Sequence, residues 1–229
     1  MYAILWVNER LDDYGKSINS NRVNKFNDLL VIVWYIGKKN EEKERVMSIE
    51  VEIKLKINDK KSIEEKLAES GFRKGVFVWE SDTYYMAAHH DFVALDEALR
   101  VRSTENRTTG EKSAAITYKG AKLDQISMSR QELETAVGDA QICCNILEHI
   151  GFCPVPSVEK LRQYYHKENI TACADSVTGL GDYLELEVIA DSNTEREQAL
   201  EQIEEVLQIL GYSMQDTTRT SYLSMLLAK

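Results

Sequence analysis

Proline is nearly absent from this 229-residue chain, and glycine is scattered singly. With two prolines and eleven glycines the chain has no proline-rich or glycine-rich linker, which excludes a string of loosely tethered modules. Cysteine is equally sparse. Cys143 and Cys144 are adjacent while Cys153 and Cys173 stand apart. No Cys-x-x-Cys pair exists, so neither a disulfide framework nor a zinc site is expected, and His149 beside the first pair does not supply a zinc spacing. Reduced, buried thiols are expected instead. The longest apolar run, Leu29–Ile36, is eight residues, far short of the roughly 20 that a bilayer requires, and it lacks the basic flank of a secretory signal. The formal charge is −10, which argues against general attraction to nucleic acid or to an anionic membrane. These features together predict a cytoplasmic protein long enough for one good-sized domain.

What the chain does have is ionic alternation. Side chains alternate sides along a strand, so in Ile49–Ile57 the apolar Ile49, Val51, Ile53, Leu55 and Ile57 share one face. Glu50, Glu52, Lys54 and Lys56 share the other. The pattern returns in Leu99–Arg102, Ile116–Lys119, Arg130–Glu134 and Tyr183–Val188, and more weakly in Lys160–Arg162. Within several of these strands carboxylate follows carboxylate or guanidinium follows guanidinium, which costs repulsion unless cations and a polyanion fill the space between. Apolar faces must be covered, yet charged faces cannot enter a dry core unpartnered. About eight antiparallel strands closed into a barrel satisfy both demands, with a charged wet lumen and helices packed outside. The expected class is therefore α+β. An apolar lumen with outward charges, as in a lipid-binding barrel, leaves the segregation of signs unexplained.

Helices are expected after charged strands. Ser62 with Glu65 forms a capping-box pattern. Asp139 caps a second helix with Ile142, Ile146, Leu147 and Ile150 on one apolar face, and Ser192 with Glu195 opens a third carrying Leu200, Ile203, Leu207 and Leu210. Gly71, Gly151 and Gly211 fit the left-handed position that ends each helix. His89-His90-Asp91 is expected on a loop, Trp79 and Phe77 in the core, and Tyr222 on a short terminal helix. Arg219 is expected to be structural, while Asp82 and Tyr84 either touch substrate or pair along a strand.

The ordered set Glu50-x-Glu52-x-Lys54, Ser81–Tyr85, Ala98–Arg102, Thr117–Gly120, Arg130–Glu134, Lys160–Arg162, Gly179–Glu187 and Arg219–Tyr222 resembles the CYTH superfamily of triphosphate tunnel enzymes. The run Gly-Leu-Gly-Asp-Tyr-Leu-Glu-Leu-Glu places it nearest the class IV adenylyl cyclase-like subgroup. The resemblance implies a triphosphate tunnel, with ATP converted to cyclic AMP and pyrophosphate. The alternative is an inorganic or organic triphosphatase, as in the thiamine triphosphatases. A triphosphate-binding module without catalysis is a third reading. Bacterial class IV cyclases carry His-Phe six residues before the first motif glutamate, where this chain has Glu44 and Arg45.

The chemistry of a nucleoside triphosphate or inorganic triphosphate assigns the rest. Lys54, Arg100, Arg102, Lys119, Arg130, Lys160 and Arg162 are candidates to neutralise phosphate, arginine's planar fork suiting two oxygens at once. Mg²⁺ or Mn²⁺ takes oxygen ligands, for which Glu50, Glu52, Glu185 and Glu187 are the first choice and Glu132 and Glu134 the second. Lys54 and Arg162 are expected at the reacting centre, with Asp175 carried over from the family. Clustered like charges further predict that removing Arg100 or Arg162 stabilises the empty protein.

The domain is expected to span residues 47–229. Residues 1–46 form an extension of two readings. The purine-codable stretch Lys38–Arg45, just before Met47, has the composition of a translated ribosome-binding site. Alternatively Leu29–Ile36 packs on the barrel or forms a homodimer contact.

Overall fold

Nine antiparallel strands and four α-helices make up residues 49–229, the part of the chain that the computed structural model describes. The expectations for residues 1–46 lie outside the described residues. In chain order the elements are β1 (Ile49–Lys56), α1 (Lys60–Glu69), β2 (Arg73–Ala87), β3 (Ala98–Asn106), β4 (Lys112–Lys119) and β5 (Arg130–Val137). There follow α2 (Ala140–His149), β6 (Phe152–Pro154), β7 (Val158–Lys167), β8 (Ile170–Val177), β9 (Gly181–Ala190), α3 (Asn193–Leu210) and α4 (Tyr222–Leu227).

The sheet order is β3-β4-β5-β1-β9-β8-β7-β2-β6, and a further β2–β3 pairing closes eight strands into a barrel. β6 continues the edge of the long β2 beyond β7. The expected closed barrel is thus present. Register puts like parity on one face throughout: Lys54 pairs with Glu185, Arg162 with Asp175, and Asp82 with Arg102.

The outward residues of β1, β8 and β9, among them Val51, Ile53, Leu55, Ala174, Leu184 and Leu186, are buried against Ile63 and Leu67 of α1 and Ile203, Leu207 and Leu210 of α3. Each such Leu or Ile contributes about 1.5–3 kcal/mol through burial. α3 is set by its ends. Ser192 accepts from Glu195 N at 3.2 Å, the Glu195 carboxylate accepts from Asp191 N at 2.8 Å, and Gly211 takes φ 88°. Lys66 of α1 donates to Leu210 O at 2.8 Å, where the helix carbonyls lack partners.

Four local expectations need correction. α1 is capped by Asp59, which accepts from Ser62 N at 3.0 Å, so Ser62 lies inside the helix rather than before it. α2 has its Asp139 cap, but it turns Leu147 and the two cysteines toward Tyr85 and Val101. Ile142, Ile146 and Ile150 are left 59%, 56% and 62% exposed. Trp79 and Phe77 are half-buried on the outer side of β2, a stretch of wall against which no helix among the described residues packs extensively. Of the cysteines, all free thiols, only Cys173 is buried. His89–Asp91 does lie on the β2–β3 connection, where His90 Nε2 meets Glu97 at 2.5 Å.

Two features shape the lumen. At one end the inward positions turn apolar. Val158, Val177 and Tyr183 pack with Leu180 and with Tyr222 of α4 into a second core, Tyr84 against it, and seal that end. Among the described residues the β1–β5 seam is short, pairing Ile49 with Gln131 and Glu50 with Arg130. Beyond it the β4–β5 connection substitutes for a ladder, with Met128 N donating to Glu52 O at 2.9 Å. Arg219 holds that connection through Ser127 O at 2.9 Å and Asp124 O at 2.6 Å, and Arg196 holds Asp124 at 2.6 Å. Arg219 is structural, as expected.

Candidate functional site

Parity delivers the charges to the lumen, and burial then forces them to pair. Lys54 Nζ lies 3.0 Å from Glu185 and 3.2 Å from Glu52, with Met128 Sδ at 3.4 Å and the Tyr222 ring centroid at 4.4 Å. Arg162 donates to both Asp175 oxygens at 2.7 Å, also contacts Glu185, and brings Nη1 to 3.5 Å from Glu187. Arg102 grips Asp82 at 2.6 and 2.8 Å and approaches Glu80 at 3.3 Å. Arg100 reaches Asp82 and Thr117, each at 3.4 Å. Lys160 lies 3.4 Å from Glu80 and 3.7 Å from Asp175. Lys119 bonds Glu50 at 2.9 Å and also contacts Glu132.

The six carboxylates expected as metal ligands divide. Glu50, Glu52 and Glu187 bring oxygens within 4.8 Å of one another. Glu132 adjoins this group through Glu50 and Lys119. Glu185 is instead committed to Lys54 and Arg162, and Glu134 is exposed and accepts from Thr117 at 2.7 Å. Among the cations, Arg130 stands apart. Its guanidinium donates to Asp96 O at 2.8 Å and Gly120 O at 3.0 Å, bracing two loops.

Electrostatics separates the carboxyls by neighbour. Burial lifts Glu187 to about 8, the Glu50 carboxylate adding to it. Burial and a hydrogen bond that the protonated Glu132 donates to the Glu50 carboxylate lift Glu132 to about 8. Burial and the Glu185 carboxylate raise Glu52. Burial also opposes charge on Glu50, but Lys119 outweighs it and holds Glu50 below the usual range. For Glu185, burial is overcome by Lys54 and Arg162. For Glu80 it is overcome by Arg102 and Lys160, giving about 2.

Glu50, Glu52 and Glu187 fit a hard divalent cation. Their donors are all carboxylate oxygens, two of the three are raised toward protonation, and the buried Glu52 Oε1 has the Lys54 ammonium at 3.2 Å but no well-aligned hydrogen bond.

Sequence reasoning missed Glu80 and under-read Tyr222. Glu80 shares parity with Asp82 but follows the apolar run Val76–Trp79, which hides the alternation. Tyr222 donates to Asp175 at 3.0 Å across 47 positions of sequence, a contact that only the tertiary fold creates.

Residues 48–222 match the family model described as the CYTH domain. The chain belongs to the CYTH family. A relative from Methanocaldococcus jannaschii, named provisionally as an adenylate cyclase, is 38% identical over 177 residues, 77% of this chain and 98% of its own length. The solved structure of the PH1819 protein from Pyrococcus horikoshii OT3 superposes with TM-score 0.72 at 35% identity, covering 78% of this chain and 98% of that one. A Hippeastrum protein, provisionally an adenylyl cyclase and described as having a dominant triphosphatase activity, shares the fold. Its TM-score is 0.53 at 17% identity, with 80% of this chain and 96% of that one covered. No helix among the described residues is long and apolar enough to cross a membrane.

Proposed function

We propose that this CYTH protein is a metal-dependent enzyme acting on a triphosphate, and that its reaction is that of a class IV adenylyl cyclase, ATP to cyclic AMP and pyrophosphate. One observation carries the reading. The lumen cations Lys54, Arg100, Arg102, Lys160 and Arg162 share the barrel interior with the converging carboxyls Glu50, Glu52 and Glu187.

Phosphoryl transfer asks a protein mainly for positioning and charge stabilisation. Arg102 and Arg162 spend one edge of the guanidinium on carboxylates and keep further N–H groups for phosphate oxygens. Lys54 stays charged because Glu52 and Glu185 outweigh the burial that opposes it. Glu50, Glu52 and Glu187 would hold Mg²⁺ or Mn²⁺, which when bound supplies charge neutralisation and polarises phosphate. In the cyclase reaction the ribose 3′-oxygen attacks the α-phosphorus, loses its proton and displaces pyrophosphate.

Hydrolysis of the terminal phosphate is the second reading, with water as nucleophile and orthophosphate as product. Glu44 and Arg45 in place of His-Phe favour it, and so does the activity described for the Hippeastrum protein. Incubating purified protein with ATP, or with inorganic triphosphate, plus Mg²⁺ or Mn²⁺ separates the readings. Cyclic AMP with pyrophosphate supports the first and orthophosphate the second. Unchanged substrate overturns both and leaves a binding module.

A further inference from the structure

Tyr222 enters the lumen from the C-terminal helix, at the sealed end of the barrel. Its hydroxyl donates to Asp175 Oδ2 at 3.0 Å, the oxygen that also takes Arg162 Nη2 at 2.7 Å. Its ring centroid lies 4.4 Å from Lys54 Nζ and 5.4 Å from Lys160 Nζ. The edge-to-face contact with Tyr183, at 5.2 Å between centroids, fixes the ring. One phenol therefore touches two lysines and, through Asp175, an arginine.

We propose that Tyr222 is a positioning residue for triphosphate, holding Lys54, Lys160 and Arg162 in the phosphate-binding arrangement. The inference rests on the triphosphate reading above. Lysine is a flexible point charge, whereas phosphate recognition needs it aimed. Glu52 and Glu185 draw the buried Lys54 from one side, and the electron-rich ring face of Tyr222 lies against its ammonium at 4.4 Å. On Asp175 the hydroxyl satisfies acceptor capacity that the bidentate arginine leaves over. The carboxylate then stays fixed, and with it the direction in which Arg162 points.

The test titrates inorganic triphosphate by calorimetry in EDTA, so that only the cations are read, with thermal melts alongside. Tyr222→Phe keeps the ring and the packing and loses only the bond to Asp175. Its melt should stay cooperative while affinity falls roughly tenfold. Tyr222→Leu also removes the face over Lys54 and should lose roughly tenfold more. Leu180→Ala loosens the same plug from the turn between β8 and β9, outside the register pairs that carry these charges, and should lower the melting temperature while keeping affinity. Wild-type affinity in both tyrosine variants overturns the assignment, as does a loss in Leu180→Ala equal to that in Tyr222→Leu. A wild-type protein that binds no triphosphate, either in EDTA or with Mg²⁺, overturns the triphosphate reading and the assignment together; one that binds only with Mg²⁺ overturns the assignment to the cations alone.

Discussion

Arg162 and Asp175 form a two-point pair, Nε and Nη2 each 2.7 Å from a carboxylate oxygen, and Asp175 is fully buried. Arg100 likewise meets the buried Asp82. The expectation that deleting either arginine relieves repulsion in the empty lumen is therefore reversed, because deletion strands a buried carboxylate. Arg162→Ala should destabilise the protein by about 3–5 kcal/mol and Arg100→Ala by less, since Asp82 keeps Arg102. Denaturant melts of both variants check this. A rise in stability for Arg162→Ala would show that the pair is dispensable.

The proposed metal dependence rests on Glu50, Glu52 and Glu187. Each single alanine substitution should lower turnover by about 100-fold or more at saturating Mg²⁺ or Mn²⁺, with a cooperative melt retained. Glu134→Ala should stay within a few-fold of wild type, since that carboxylate is exposed and bonded to Thr117. Product formation against metal concentration reads all four variants. Equal losses at Glu134 and Glu187 would disperse the proposed ligand set.

Stability of the metal-free protein should fall as pH rises from 4.5 to about 8. Glu132 and Glu187 are lifted to about 8 in the fold against an ordinary 4.5. Across that window the folded state binds protons that the unfolded chain has lost. Their contribution is full below 4.5 and gone above about 8. The salt-bridged Glu80, held near 2, acts oppositely and only in acid. Melting temperatures from pH 5 to 9 in EDTA should decline, and more shallowly in Glu132→Gln and Glu187→Gln. A flat wild-type profile counts against the raised carboxyls.

A protein beginning at Met47 should melt cooperatively and keep its turnover, because the site begins at Glu50 and the barrel closes within residues 49–229. Differential scanning calorimetry with a product assay decides it. Loss of cooperative unfolding would assign residues 1–46 to the fold.

Much of this was legible because parity is a local property. Glu50, Glu52 and Lys54 declare their face within five residues, and the barrel follows from having several such strands to close. Legibility failed where the deciding contact is distant or where apolar patterning has no partner. Ile142, Ile146 and Ile150 have the spacing of a buried stripe, yet α2 packs through Leu147 and leaves them exposed. Trp79 read as core because nothing local reveals that no helix among the described residues packs extensively on the outer wall of β2. The cations were visible, but their carboxylate partners were not, since Asp175 and Arg162 become neighbours only through β7–β8 register.

The compensated lumen also sets a calorimetric signature. Phosphate entering it exchanges one set of anions for another around the same cations, with almost no apolar area withdrawn from water. The heat capacity change of binding should accordingly be small compared with that of a ligand seated in a greasy pocket. On the triphosphate reading, affinity would be a matter of charge replacing charge, and the tunnel should rank phosphate ligands by the spacing of their oxygens more than by their hydrocarbon.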